Sequence, residues 1–242
     1  MVANTTEPIL HRLTSQGQIY MQNLASIIAA DMLSVNPGYE VLDLAAEPGG
    51  KTLILAERMQ NKGRLAAVEP IKNRFHRLRA TLSLHSVGCA HTYLKDGRKV
   101  GRQCPGMFDH VLIDAPCSSE ARINAKDPNS YSFWSKRKIN EAQRKQKQLL
   151  FSAIQATRSG GSILYSTCSF APEENEAVVH RQLQLWGDAI EVLPLNLPIK
   201  NTIPGMQSWR NKSYNDSLRH AVRILPNKNM HGFFMCHLRR II

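Results

Sequence analysis

Two cysteines of this sequence sit where covalent chemistry is feasible. The stretch IDAPCSSE (113–120) places Asp114, Pro116 and Cys117 at the end of an apolar run, and YSTCSF (165–170) does the same for Cys168. A thiol at the carboxyl end of a buried strand, near a basic surface, can act as a nucleophile. A third stretch, DLAAEPGGKT (43–52), ends in Gly-Gly-Lys-Thr and invites comparison with loops that grip phosphate. The details exclude that comparison. A phosphate loop needs glycine five positions ahead of Gly50, where this chain has Ala45. Glu47 would repel phosphate, and Pro48 lacks a backbone donor. No G-x-G-x-x-G is present.

What remains is a strand, a tight glycine turn, a helix, and an acid closing the next strand. Glu69 lies 19 residues beyond Gly50, and a carboxylate there can accept hydrogen bonds from ribose hydroxyls. Such a layout suits a nucleoside cofactor with no pyrophosphate. S-adenosylmethionine fits it. Gly49 and Gly50 permit close approach, and the ammonium of Lys51 would offset the methionine carboxylate.

The elements needed to hold these residues can be read from the pattern. Strands are expected at 39–46, 64–70, 89–96, 108–116 and 162–169, with helices at 50–60, 72–86, 139–161 and from 172 to 186. The helix 139–161 should end at Gly160-Gly161, and that from 172 opens with Pro and acids. Strands alternating with helices predict a mainly parallel sheet covered on both faces. Ligands of such sheets lie beyond the carboxyl ends of the strands, where all the stretches quoted above fall. Two apolar runs around a turn at the end of the chain predict an antiparallel edge hairpin. Residues 1–38 read as a helical lead-in.

Composition narrows the class. The chain has 242 residues, enough for one sizeable core. Its 31 Lys and Arg exceed 19 Asp and Glu, a formal charge of +12 that favours a polyanionic partner. No apolar stretch approaches a membrane span, and the first residues lack a basic segment followed by a long apolar one. A cytoplasmic protein with no membrane partner is therefore expected. Five widely spaced cysteines with no CxxC argue against a zinc site or redox motif. Cys89 and Cys236 read as small buried hydrophobes.

From about Gln18 to the C-terminus the chain resembles the Sun/nucleolar-protein family of S-adenosylmethionine-dependent RNA cytosine-5 methyltransferases. DLAAEPGGKT resembles the family's cofactor loop, and AVEP (67–70) with Arg74 its ribose-binding segment. KDGRK (95–99) carries Asp96 at the position that contacts adenine, and DAPCSS and STCS are similar to the paired catalytic motifs. NEAVV (175–179) and GFFMCHLRR (232–240) resemble late motifs, while KDPNSYSFWS (126–135) is similar to bacterial ribosomal-RNA members. The resemblance implies an α/β, Rossmann-like class I methyltransferase fold. Its mainly parallel sheet would have seven strands and an antiparallel C-terminal hairpin, in a single catalytic domain over 1–242. The cofactor would be S-adenosylmethionine, held by Ala45, Ala46, Glu47, Pro48, Gly49, Gly50, Lys51, Glu69, Arg74, Asp96 and Asp114. The partner would be RNA, rRNA ahead of tRNA. A monomer is expected, with a protein partner supplying RNA affinity left open.

Two positions depart from the family pattern: Ala45 replaces a usual Cys, and Glu47 a usual Ala. Glu47 would either weaken cofactor binding or take a water-mediated contact. From the length of this sequence, no extra RNA-binding domain of the kind many relatives carry is expected.

The chemistry explains the residue types. Carbon 5 of cytosine is a poor nucleophile. A thiolate adding to carbon 6 turns the ring into an enamine able to attack a sulfonium methyl. A carboxyl group on ring nitrogen 3 would stabilise that adduct, and Asp114 is the candidate. Loss of the carbon 5 proton and elimination then free the enzyme. Chemistry alone does not say which cysteine attacks; the resemblance makes Cys168 the nucleophile and Cys117 the residue that assists release. The target base must be unstacked. Candidate RNA contacts are Arg12, Lys136, Arg137, Lys138, Arg144 and Lys145, with Phe133 and Trp134 for stacking. Two other readings stand beside this one: a scaffold that keeps the fold without turnover, and a DNA cytosine methyltransferase. The intact cysteine pair argues against the first, and STCS is unexplained by the second.

Overall fold

The computed structural model describes residues 7–242. Two helices lead in, α1 (Glu7–Ser15) and α2 (Leu24–Asp31), the latter capped by the Asn23 side chain on the amide of Ala25. The alternating region follows: β1 (Glu40–Asp43), α3 (Gly50–Arg58), β2 (Arg64–Val68), α4 (Lys72–Leu84), β3 (Ala90–Tyr93), α5 (Val100–Gln103) and β4 (Phe108–Asp114). Next come α6 (Lys136–Ala156), β5 (Thr157–Thr167) and α7 (Glu176–Trp186). Shorter strands complete the chain: β6 (Ile190–Leu193), β7 (Thr202–Pro204), the small hairpin β8 (Ser208–Trp209) and β9 (Lys212–Ser213), β10 (Val222–Ile224) and β11 (Phe233–Arg240). No helix among the described residues is long and apolar enough to cross a membrane.

One nine-stranded sheet runs β3-β2-β1-β4-β5-β11-β10-β7, with β6 also on β11. The first five strands are parallel, and those from β11 outward are antiparallel. All seven expected strands are present; β6 and β7 add two more. The C-terminal hairpin does not lie at the edge. β11 pairs with β5 from Phe234–Thr167 to Arg239–Ser162, and β7 covers β10 on the outside.

The central strands are apolar on both sides because helices cover both faces. Leu42, Val111, Ile113, Ile163 and Tyr165 pack under α6 and α7, against Leu150, Ile154 and Val179. Val41, Leu65, Leu112, Leu164 and Met235 face α2 and α3, against Ala29, Leu55 and Ala56.

Two expected boundaries shift for physical reasons. α6 starts at Lys136, where Ser135 caps the amide of Lys138, and ends at Ala156, so Gly160 and Gly161 fall inside β5. The Thr157 hydroxyl takes the carbonyl of Ala153, and Arg240 of β11 takes those of Ile154, Gln155 and Thr157. That arrangement closes the helix four residues before the glycines. α7 begins at Glu176 instead of Pro172, because Glu174 and Asn175 are drawn into a buried network beneath the cysteines. Cys89 and Cys236 are buried, as expected of small hydrophobes.

Candidate active site

β1, β4 and β5 run parallel and finish at the same edge of the sheet. A cavity of about 460 Å³ opens there. Its walls include Ala45, Ala46, Glu47, Pro48, Gly50 and Lys51 after β1, Arg74 of α4, Asp114 and Cys117 at the end of β4, and Cys168 after β5.

The two thiols meet. Their sulfurs lie 3.2 Å apart, and Ser119 Oγ is 3.7 Å from that of Cys168. The hydrogen bond from Cys117, aided by the Arg122 cation, draws Cys168 down to about 7 against the effect of burial. The same hydrogen bond, then burial and the Glu174 carboxylate among the neighbouring charges, pushes Cys117 well above the usual thiol range. Of the two thiols, Cys168 is the one that ionises more readily.

A buried acid fixes this pair from below. Glu174 is fully buried. It accepts from the Ser118 amide at 2.9 Å, from the Ser118 hydroxyl, from Ser169 Oγ at 2.8 Å and from Gln146 Nε2 at 3.0 Å. Ser118 follows Cys117 and Ser169 follows Cys168, so one carboxylate ties both cysteine loops to α6. Asn175 adds to the brace, accepting from Thr167 Oγ1 and donating to the carbonyl of Ser169.

On the opposite wall, Lys51 Nζ lies 2.6 Å from Asp114 Oδ2, and Ser166 Oγ lies 3.2 Å from Asp114 Oδ1. Lys51 therefore neutralises Asp114 in this structure. Asp43, at the end of β1, accepts from Thr52 Oγ1 at 2.7 Å through one oxygen. Its other oxygen is buried and has no partner among the described residues. Burial first of all pushes the Asp43 carboxyl up to about 6. An orphaned carboxylate oxygen beside a cavity suits the ammonium of an amino acid, so this end fits the aminocarboxylate of S-adenosylmethionine.

Glu47, the residue that departs from the family pattern, is not a bare acid in the loop. Arg74 reaches it at 2.9 Å and Arg77 at 2.8 Å. Gly50 serves a purpose the sequence did not suggest. A side chain there would come within 2.6 Å of Gln22 Oε1 and 2.7 Å of Tyr20 Cε1, so the glycine admits the lead-in segment over the loop. Tyr20, Gln22, Asn23 and Ser26 line the cavity as a result.

Three expected cofactor residues stand off the cavity wall. Gly49 adopts φ 110° as the cap of α3 and faces Leu78 and Thr81 of α4. Glu69 is buried, accepting from the Ile71 amide at 2.8 Å with Arg74 at 3.6 Å. Asp96 is paired with Arg98 at 2.6 Å and caps the turn that follows, which turns its carboxylate into a neighbouring hollow. Of the candidate RNA contacts, Trp134 and Lys136 line a hollow next to the site. Arg137 is paired with Glu141 at 2.8 Å. Arg12, Arg144 and Lys145 are exposed and Lys138 is half-buried, all outside these hollows; Phe133 is 81% exposed.

Sequence reasoning missed Asp43, Glu174 and the lead-in residues. Asp43 left a signal, a lone acid closing an apolar strand. The lead-in left none, since its role depends on the close approach at Gly50.

The likeness to known proteins spans the region that contains these loops. The family described as 16S rRNA methyltransferase RsmB/F matches residues 30–239. The tRNA (cytosine(49)-C(5))-methyltransferase of Pyrococcus abyssi is 35% identical over 227 residues, covering 93% of this chain and 71% of that one. Ribosomal RNA small subunit methyltransferase F of Escherichia coli O1:K1 is 37% identical over 227 residues, 93% of this chain. The chain spans 45% of that relative's length. Among solved structures, a methyltransferase homolog protein from Pyrococcus horikoshii superposes with a TM-score of 0.82 at 28% identity, over 99% of this chain and 73% of that one. NSun6 from the same organism, solved with SFG, gives 0.78 at 26% identity, over 96% and 55%. With paired cysteine loops, cofactor loop and sheet order all inside the matched span, the chain belongs to the RsmB/F family of 16S rRNA methyltransferases.

Proposed function

We propose that this chain methylates carbon 5 of a cytosine in RNA through a covalent adduct on Cys168, with ribosomal RNA ahead of transfer RNA as substrate. The observation that carries the reading is the pair of sulfurs 3.2 Å apart at the cavity, in surroundings that favour the thiolate of Cys168 over that of Cys117. Bound S-adenosylmethionine supplies an electrophilic methyl group. Asp43 would hold its ammonium, and the loop 45–51 with Arg74 would form its bed.

The chain's own residues do the rest. The Cys168 thiolate adds to carbon 6, and the ring electrons shift toward nitrogen 3, which takes the proton of the Asp114 carboxyl group in its protonated form and leaves a carboxylate beside Lys51. Lys51 beside Asp114 balances the developing charge. Carbon 5 then accepts the methyl group. After its proton passes to water, the carbon–sulfur bond breaks and returns the electron pair to Cys168. The Cys117 thiol stabilises that leaving thiolate by the hydrogen bond already in place. Glu47, held by Arg74 and Arg77, leaves the loop without a free negative charge, which supports turnover over a silent scaffold. Free thiols suit the cytoplasm as the place of action, and a single copy of the chain supplies every group named.

Replacement of each thiol tests the reading. Cys168→Ala should abolish methyl transfer and form no adduct. Cys117→Ala should attack and methylate but release slowly, leaving a protein–RNA species that survives denaturing electrophoresis. The reverse pattern would exchange the roles, and unchanged turnover in both variants would refute the covalent route.

A further inference from the structure

Three hollows adjoin along α6, of about 380, 720 and 670 Å³. The first begins at Glu120 and Phe170, beside the two cysteine loops, and shares Trp209 and Arg210 with the second. The second shares Lys147 and Arg181 with the third. Together they make one trough leading away from the active site along a helix of 21 residues, about 30 Å.

Its charge is one-sided. The three acids that line it are already engaged: Asp96 with Arg98 at 2.6 Å, Glu120 with the Trp134 indole at 2.7 Å, and Glu173 with the Trp209 indole at 3.1 Å. Lys147, Arg181 and Lys212 make no ion pair among the described residues. The Lys147 ammonium lies below the usual lysine range, through burial first and then through the Arg181 and Lys212 cations. Three like charges crowd one another here, and a bridging anion would relieve them. Trp134 and the half-buried Trp209, with the Arg210 guanidinium 5.5 Å over its ring, line the same trough as the cations. Cations together with aromatic rings suit a single nucleic-acid strand, with phosphates on the cations and bases against the rings.

We propose that this trough carries the RNA strand flanking the target cytosine, with backbone phosphates over Lys147, Arg181 and Lys212 and a base against Trp209. The proposal rests on the reading of the chain as an RNA methyltransferase and adds the path of the substrate. None of these four residues touches the catalytic cavity.

Titration of the whole chain with a short fluorescent single-stranded RNA over a range of salt concentrations tests it. The variant Lys147→Ala/Arg181→Ala/Lys212→Ala should bind roughly tenfold or more weakly, with a salt slope lower by about 2, since a single-strand contact contributes ~0.7. Its affinity for S-adenosylhomocysteine should be unchanged, which shows that it folds. A comparison variant, Lys62→Ala/Lys200→Ala/Lys228→Ala, removes the same charge outside the hollows and should lose less. Trp209→Ala should weaken RNA binding without changing the salt slope. Equal losses in the two triple variants would overturn the path while leaving the methyltransferase reading intact. Polyglutamate competing as well as RNA would assign the trough to an acidic protein and overturn it too. Absence of salt-dependent RNA binding in the wild type would sink both the path and the substrate assignment.

Discussion

At 3.2 Å, two thiolates would repel strongly, so ionisation of one of Cys117 and Cys168 holds the proton on the other. What keeps that distance is Glu174, which grips the serine after each cysteine. Glu174→Gln replaces an acceptor with a donor facing Gln146 and the Ser118 amide, so the two loops should drift apart. Since a misplacement of about 1 Å can cost ~10²-fold in rate, kcat should fall by that order while KM for RNA stays. A fall in KM affinity matching the fall in kcat would mean a merely structural role. The thiols were legible in the sequence because their motifs are short. Glu174 was read as a helix-opening acid, and only its partners from 56 and 28 residues away reveal otherwise. Asp43 yields a second expectation. Its folded value is raised to about 6, so it is ionised above that pH and neutral below it. An ammonium needs the ionised form. Affinity for S-adenosylhomocysteine should therefore weaken as pH falls through about 6, and Asp43→Asn should bind weakly at every pH. Calorimetric titrations that stay flat in the wild type would contradict this.

Element boundaries followed the local pattern where local forces decide them. The α4 helix, read at 72–86, ends at Leu84. The end of α6 did not follow it, because the groups that satisfy its last carbonyls belong to Arg240, more than eighty residues on. Gly160-Gly161 looked like a stop signal and instead lies inside β5, where a side chain at Gly161 would come within 2.6 Å of the Asp109 carbonyl oxygen of β4. A glycine of similar consequence joins α5 to α6. A side chain at Gly101 would overlap the Ser152 carbonyl oxygen, while one at Gly88 would meet nothing within 4 Å. Gly101→Ala should cost about 1–3 kcal/mol by overpacking, and Gly88→Ala should stay within ~0.5 kcal/mol. Urea denaturation of both variants measures the contrast; equal midpoints would show that α5 moves away freely.

Over the whole molecule, the parallel half of the sheet was legible from alternation, and the excess positive charge from simple counting. The trough was not, because its cations come from α6, α7 and the β8–β9 hairpin, and no single stretch displays them. Nor was the inward position of β11, which depends on pairing across the sheet. That strand bonds to β5, β10 and β6 at once. A chain stopped at residue 232 should lose cooperative unfolding and near-ultraviolet dichroism altogether; a sharp thermal transition in it would show that β5 needs no antiparallel neighbour. The same pairing imposes an order of events during synthesis. β5 leads directly into Cys168, yet one of its two neighbours is made 66 residues after Thr167. On the ribosome the parallel strands emerge first, with one side of β5 open to water or to a chaperone. The full set of backbone partners on β5 can therefore form only after Phe233–Arg240 has been translated.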